Sequence, residues 1–582
     1  MQNRVFKEIS EVILSLIENR YEINSLNISD IYGALTEPPT PDLGDFAFPC
    51  FSLSKVLRKS PINIAEEMSA LLNKGNINYK AENFGPYINF TFTPSYLFNE
   101  VVEEVNSKRF FTKKLTDKQS KIMVEYSQPN THKELHVGHM RNLCLGNAIV
   151  KIKKYCDQNV VATTYPGDVG THVAKCLWFM KYHNTETLPD SRKEKAEFLG
   201  KLYTKGNLKL EEERGTNKES ANREALTNIL MQLKNKKGEF YDLWLETREW
   251  SIELMKEVYS WSDVEFDHWF FESEVDAPSI AYVNKLYEQG VLVKSDGAIG
   301  MDLNEDNLGF CMLIKSDGTG LYATKDVELA KCKFEDFNID ENIYIVDNRQ
   351  SLHFKQVFKV LENVGFKQAK DCYHLQYEMV ELPDGAMSSR KGNIIPVQSL
   401  IEEMERKIVS DYLSRYEGEW SAEKIGETAK IISNGAIKYG MLRVDNNRKI
   451  VFDLDEWLNL DGETGPYIQY TVARAKSILD KYSTNELNNY KVLETKSEKA
   501  LMVKISRFND VVLACHEKNK TFMLTGYLYE LAKLFNSFYA NNKIGSLSDE
   551  AIKQSRLKLV NAVYYTLEYG LGLLGIKCPD RM

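Results

Sequence analysis

The chain reads as a multidomain α/β protein, with a small N-terminal α+β domain, a Rossmann-type parallel-sheet catalytic domain and a C-terminal all-α helical bundle. Three observations predict this. "KIMVEYS", "HVGHMRNLCLGNAIVKIKKYC" and "QNVVATTYP" follow one another as buried strand, helix and strand, the opening of a doubly wound parallel sheet. From about residue 400 nearly every segment has helical periodicity, as in "GYLYELAKLFNSFYA" and "QSRLKLVNAVYYTLEYGLGLLG". The 582 residues also exceed what one hydrophobic core usually supports.

The elements follow in chain order. "MQNRVFKEISEVILSLIENRYEI" carries acidic residues through its apolar stripe, so it is an amphipathic helix and not a signal or membrane segment. The Pro and Gly cluster of "TEPPTPDLGDFAFP" ends that periodicity; "NIAEEMSALLNKG" is helical and "PYINFTFTP" alternates as a strand. The charged stretch "SKRFFTKKLTDKQSK" links this domain, residues 1–118, to a catalytic domain over 119–400. Within the latter, a charged helical insertion covers about 185–260, after which strand signals return with "GAIGMDL", "GFCMLIKSDG" and "NIYIVDN". Residues 401–465 form a helical connection and 466–582 the terminal bundle.

Composition narrows the class. With 43% hydrophobic and 27% charged residues and no apolar run of membrane length, the chain is expected to be globular, cytoplasmic and without a membrane partner. Nine cysteines without a Cys-x-x-Cys pair point to reduced thiols and away from a zinc ribbon. A net charge of −9 disfavours nonspecific polyanion binding, yet residues 466–582 hold 17 basic against 11 acidic side chains, which suits an anionic partner there or simply a solvated helical surface.

Chemistry concentrates in "HKELHVGHMRN", which holds three of the nine histidines, His132, His136 and His139. His136 and His139 stand three apart, on one face of a helix start. A helix N-terminus with unsatisfied N–H groups favours phosphate, and Gly138 lets a flat group approach the backbone. This set suits ATP; a metal site from the three histidines and a purely structural role are the rival readings. A second element, "GAMSSRKGN" from Gly385 to Asn393, offers Met387, Ser388, Ser389, Arg390 and Lys391 as a small cationic loop suited to a leaving pyrophosphate. Alone it reads sooner as a solvated turn or a phosphorylation site.

The pair resembles the signature motifs of class I aminoacyl-tRNA synthetases, and the arginyl family among them. "HVGH" stands where that family has its HIGH motif and "AMSSRKG" where it has its KMSKS loop. Ala386 and Ser389 depart from the two lysines of that loop, and Lys133, just before the histidines, matches the place of a compensating lysine. The resemblance implies that Lys133, Arg390 and Lys391 share the phosphate charge. "VEYSQPNTHKELHVGH" resembles the family's first pocket segment, which implies that Glu125 and Asn130 touch arginine. "LYATKDVELA" likewise implies Tyr322 and Asp326, and "NRQSLHFKQVF" implies Gln350. A guanidinium has five donors and no acceptor, so two carboxylates and an amide oxygen suit it. "GDVGTHVAK" resembles the loop after the second strand, which brings His172 near the site. "GDFAFP" and "GPYINFTF" resemble the N-terminal domain that contacts the tRNA elbow, implying Tyr87 and Asn89 as contacts; Tyr87 fits a buried strand equally well. "ETGPYIQYTVARAKSIL" resembles the entrance to the anticodon-binding bundle.

The implied activity is ATP-dependent ligation of L-arginine to its tRNA through arginyl-adenylate, with Mg²⁺ accompanying ATP, no protein-borne metal and a monomeric chain. Two other readings stay open: a tRNA-independent HxGH nucleotidylyltransferase, and a noncatalytic RNA-binding relative with an altered loop.

Overall fold

A computed structural model describes residues 3–21, 23, 25–74, 76–383, 385–386, 394–482, 490–491 and 493–582. Helices of eight or more residues and all strands are labelled in chain order. The chain forms two compact units, one of Met1–Asp117 with Asn459–Met582 and one of Lys118–Leu458.

The first unit begins with α1 (Arg4–Tyr21), whose buried residues Val5, Phe6, Ile9, Ile13 and Ile17 recur at helical spacing. Strands β1 (Phe46–Pro49), β2 (Tyr79–Phe84) and β3 (Tyr87–Phe92) make an antiparallel sheet in the order β1-β3-β2, with α2 (Pro61–Leu72) between β1 and β2. Ser60 caps α2 by accepting from the Asn63 N–H, and Pro61 takes the first helical position, where no donor is needed.

The second unit is built on a parallel sheet. β4 (Lys121–Glu125) leads through a loop into α3 (Val137–Tyr155), β5 (Asn159–Thr164) and α4 (Thr171–Tyr182). The charged insertion forms α5 (Arg192–Glu212), α6 (Glu219–Lys234) and α7 (Glu239–Trp261), followed by β6 (His268–Trp269) and α8 (Glu272–Glu288). β7 (Val293–Ser295), β8 (Ala298–Leu303) and β9 (Gly309–Ile314) then pair antiparallel in a sheet of their own, so two of the three strand signals of this region do not extend the parallel sheet. α9 (Tyr322–Phe337) returns the chain to β10 (Glu341–Asp347), α10 (Ser351–Asn363) and β11 (Cys372–Tyr377).

The parallel order is β11-β10-β4-β5-β6. The chain leaves β4 towards β5 on one side and later resumes at β10 on the other, so the switch point lies between β4 and β10. Loops diverge there at the carboxyl ends of the strands and leave a crevice. β4 is buried from Ile122 to Glu125, as a strand covered on both faces must be, and Glu125 is its last residue. β12 (Val380–Leu382), β13 (Gly385–Ala386), α11 (Val397–Ile408), α12 (Ala422–Leu442) and β14 (Ile450–Val451) complete the unit.

The bundle of the first unit comprises α13 (Gly465–Lys481), α14 (Lys496–Ser506), α15 (Phe508–Lys518), α16 (Phe522–Asn541) and α17 (Glu550–Leu573). The sequence reading separates segments 1–118 and 466–582; in the fold the two chain ends pack together. Asp510 of α15 accepts from Tyr32 Oη and from Asn3 Nδ2 at 3.3 Å, Lys499 meets Asp45 at 2.9 Å, and the Phe111 and Tyr569 rings stack with centroids 4.0 Å apart. None of the nine cysteines is in a disulfide.

Candidate active site

The histidines come first. His136 caps α3: its Nδ1 accepts from the Gly138 N–H at 3.2 Å, while the His136 N–H donates to His139 Nδ1 at 3.1 Å. The rings lie 4.0 Å apart. The sequence expectation of open N–H groups at this helix end is not met. The Val137 N–H donates to Ile395 O at 3.0 Å and the His139 N–H to His136 O at 2.8 Å, so the first turn is already satisfied. What the end offers instead is imidazole. Burial pushes His136 down to about 4 and, with His136 and Lys133 nearby, holds His139 well below its usual range. Both rings are neutral at pH 7, and since Nδ1 accepts in each, the proton sits on Nε2. The pair is therefore a twin donor for an anion.

His132 is a different residue from its neighbours. It is wholly buried in a left-handed backbone conformation (φ 59°), with Nδ1 2.9 Å from Thr131 Oγ1 and Nε2 2.8 Å from Thr247 Oγ1. It braces the loop against α7. His172 is also set back, its Nε2 3.2 Å from Gly167 O.

At the switch point lies a cavity of about 430 Å³. It is lined by the five residues singled out for arginine, Glu125, Asn130, Tyr322, Asp326 and Gln350, and by His139. Asn130 pairs with Gly167 in a parallel bridge between the loops after β4 and β5. A Cβ on Gly167 would lie 2.4 Å from Asn130 Oδ1 and 3.2 Å from Glu272 Oε2, so glycine is what lets the two approach. Tyr322 opens α9 and is 66% exposed, which leaves its ring at the mouth.

Further lining residues are not singled out by the sequence reading: Glu272, Asp347, Arg349, His353, Tyr165, Asn142 and Tyr377 among them. His353 lies within the quoted segment "NRQSLHFKQVF", three residues after Gln350. Glu272 and Tyr165 carry no local signal, because an acid opening a helix and a tyrosine just after a strand are ordinary.

Charge pairing organises this lining. Glu125 accepts from Lys333 Nζ, Glu272 from Lys325 Nζ at 2.5 Å, and Asp347 from Arg349 Nε at 2.7 Å. The fourth acid, Asp326, meets no lysine or arginine among the described residues but His353 Nε2 at 2.5 Å. Burial raises the Glu272 carboxyl and Lys325 opposes the shift. The Tyr165 hydroxyl is buried with no hydrogen-bond partner among the described residues, as expected of a group that waits for a ligand. Behind the wall Asp168 accepts from Arg248 Nε at 2.7 Å and from the Ser273 N–H at 2.9 Å, tying α7 and α8 to the Gly167 loop.

Lys133 stands outside the lining, its Nζ 5.3 Å from the Tyr203 ring. Met387, Ser388, Ser389, Arg390 and Lys391 lie outside the described residues, as does the side chain of Ala386. In the first unit Tyr87 is half-buried with its ring 5.7 Å from Phe51, whereas Asn89 is 5% exposed in the middle strand, so a contact through Asn89 would need that surface to open.

Comparison with known proteins covers the same ground. The model of the class I (R) tRNA synthetase catalytic domain matches residues 100–454, that of the arginyl-tRNA synthetase N-terminal domain residues 4–92, and that of the DALR anticodon-binding domain residues 468–582. The arginine–tRNA ligase of Bdellovibrio bacteriovorus is 53% identical over 575 residues, 98% of each chain. That of Halothermothrix orenii is 34% identical over 579 residues, 99% of this chain and all of its own. The solved arginyl-tRNA synthetase of Thermus thermophilus superposes over the full length of both chains with a TM-score of 0.80 at 25% identity. Similarity of this degree, running through all three matched domains and not one module alone, means that the chain belongs to the class I arginyl-tRNA synthetase family.

Proposed function

We propose that this chain joins L-arginine to arginine-accepting tRNA in the cytoplasm, using ATP. The arginine carboxylate attacks the α-phosphorus to give arginyl-adenylate and pyrophosphate; the terminal ribose of the tRNA then attacks the acyl carbon and releases AMP. The observation that carries the reading is the cavity lining: among the described residues three of its four carboxylates face a lysine or arginine and Asp326 faces His353, which leaves that end of the cavity suited to a substrate cation. In this reading Asp326 and the open side of Glu125 receive the guanidinium, Asn130 and Gln350 supply amide oxygens, and Tyr322 closes the mouth.

His136 and His139 donate Nε2–H to the nucleotide phosphates beside Gly138, and Lys133, Arg390 and Lys391, with Met387, Ser388 and Ser389 of the same loop, complete the ATP site. No general base is assigned, because holding the reactants together supplies up to ~7–11 kcal/mol of the barrier. Mg²⁺ travels with the ATP phosphates as substrate. The bundle over 468–582 and the surface around Tyr87 take the tRNA.

The test is aminoacylation with labelled arginine, ATP and bulk tRNA, read as acid-precipitable arginine. Pyrophosphate exchange that needs neither RNA nor arginine, with no arginine on RNA, would instead favour the nucleotidylyltransferase reading. Neither reaction would leave an RNA-binding relative.

A further inference from the structure

The same face of α9 carries a cation that does not reach the cavity. Lys333 lies seven residues, two helical turns, after Asp326 and is 0% exposed. It does not line the cavity, yet its Nζ donates to Glu125 Oε2 from behind, and Glu125 is itself only 3% exposed. The ammonium is enclosed by aromatic rings, with Nζ 4.5 Å from the centroid of Tyr344 and 5.5 Å from that of Phe270. A lysine is rarely buried so fully unless paired, and a buried carboxylate stripped of its partner is strongly disfavoured. Among the described residues the other oxygen, Oε1, has only a long contact to Gln128 Nε2 at 3.4 Å, and Glu125 lines the cavity.

We propose that Lys333 is a positioning residue for arginine selection: by engaging Glu125 Oε2 it holds that carboxylate turned, so that Oε1 is presented as a fixed acceptor to the substrate guanidinium. The inference rests on the arginine reading given above and deepens it. It also divides labour between the acids. Glu125, neutralised from within, selects by hydrogen-bond geometry, while Asp326 balances the substrate charge. Without Lys333, Glu125 is free to turn away, and Oε1 is no longer held towards the guanidinium N–H groups.

A double-mutant cycle tests this, with kcat and KM for arginine measured in aminoacylation at saturating ATP and tRNA, and thermal midpoints recorded for each protein. Lys333→Met is expected to raise KM for arginine about tenfold or more, with kcat within about threefold and KM for ATP unchanged. In the Glu125→Gln background the same change should add less than about threefold, because there is no longer a carboxylate to position. The double variant should also melt higher than either single one, since both charges of the pair are gone. Lys333→Met with an arginine KM within twofold of wild type overturns the proposal, and so does full additivity of the two substitutions, which would mark Lys333 as packing only. Should Lys333→Met alone fail to fold, Glu125→Gln against Glu125→Gln/Lys333→Met decides: a further rise in KM or a lower midpoint on adding Lys333→Met overturns it. Wild type that charges no arginine at all would defeat the functional reading itself, a result distinct from wild-type charging with an additive cycle.

Discussion

His136 and His139 cap their own helix through Nδ1 and so have only Nε2–H left to give. Removing one such donor, by His139→Ala, is expected to lower adenylate formation by about 10²–10³-fold, measured as pyrophosphate exchange with tRNA present. Near-normal exchange by folded protein would remove the pair from the site. Asp326→Asn keeps the shape of the cavity and its contact with His353 but takes away the carboxylate that meets no lysine or arginine. It should cut kcat/KM for arginine by about 10³-fold or more and leave ATP affinity within about threefold, since a site built for substrate donors fails when its acceptor is neutralised. Arginine activated at the wild-type rate would show that the guanidinium binds elsewhere. The buried histidines also set acid stability. Burial holds His132 and His172 down to about 3, below the ordinary value near 6.5 expected when unfolded. The unfolded chain therefore binds more protons below pH 6.5, and stability falls as pH drops from about 6.5 towards 3, by up to ~1.4 kcal/mol per pH unit for each group. Urea midpoints at pH 7, 6 and 5 should fall less steeply in His132→Gln than in wild type. Parallel slopes would mean that His132 is already charged in the fold.

Elements meet at distances that single residues fix. α3 lies so close to the end of β4 that a Cβ on Gly146 would sit 2.1 Å from the Tyr126 ring, and Tyr126 is itself 1% exposed between Glu125 and Ser127. Neither partner can yield, because the ring is enclosed and the helix is anchored by its caps. Gly146→Ala should cost about 1–3 kcal/mol of stability, seen as a lower thermal midpoint. It should also raise KM for arginine, since displacing Tyr126 displaces its neighbour Glu125. An unchanged midpoint would show that the helix moves away without strain. The Gly167 loop is a second such place, held by Asn130 on one side and by Asp168, with Arg248 and Ser273, on the other.

For the whole molecule, the first unit is made from both ends of the chain. Desolvation raises the Asp510 carboxyl while the hydrogen bonds from Tyr32 and Asn3 oppose the shift, and Phe111 stacks on Tyr569. Residues 1–117 alone would expose Phe110 and Phe111, and residues 459–582 alone would expose Phe508 and leave Asp510 without Tyr32 and Asn3. Each segment expressed separately is expected to aggregate or melt at least about 10 °C below the pair, and the two co-expressed should purify as a complex. Two well-folded segments that do not associate would show that the packing between them adds little.

The amino-acid sequence by itself determined what is local or periodic. The buried run ending at Glu125 makes a covered strand, the three-residue spacing of His136 and His139 places both at a helix start, and the stripe from Val5 to Ile17 makes an amphipathic helix, because period and capping chemistry act over a few residues. The motifs also brought Glu125, Asn130, Tyr322, Asp326 and Gln350 into view, and these five share one cavity. Tertiary structure alone decided their partners. Lys333 and Glu125 are 208 residues apart, Lys325 and Glu272 are 53 apart, and the carbonyl that takes the Val137 N–H belongs to Ile395. No hydrophobic period encodes such pairs. Which of the chain's many lysines is desolvated beside a carboxylate follows from how the sheet and its helices close, and the same closure set His132 apart from the two histidines beside it.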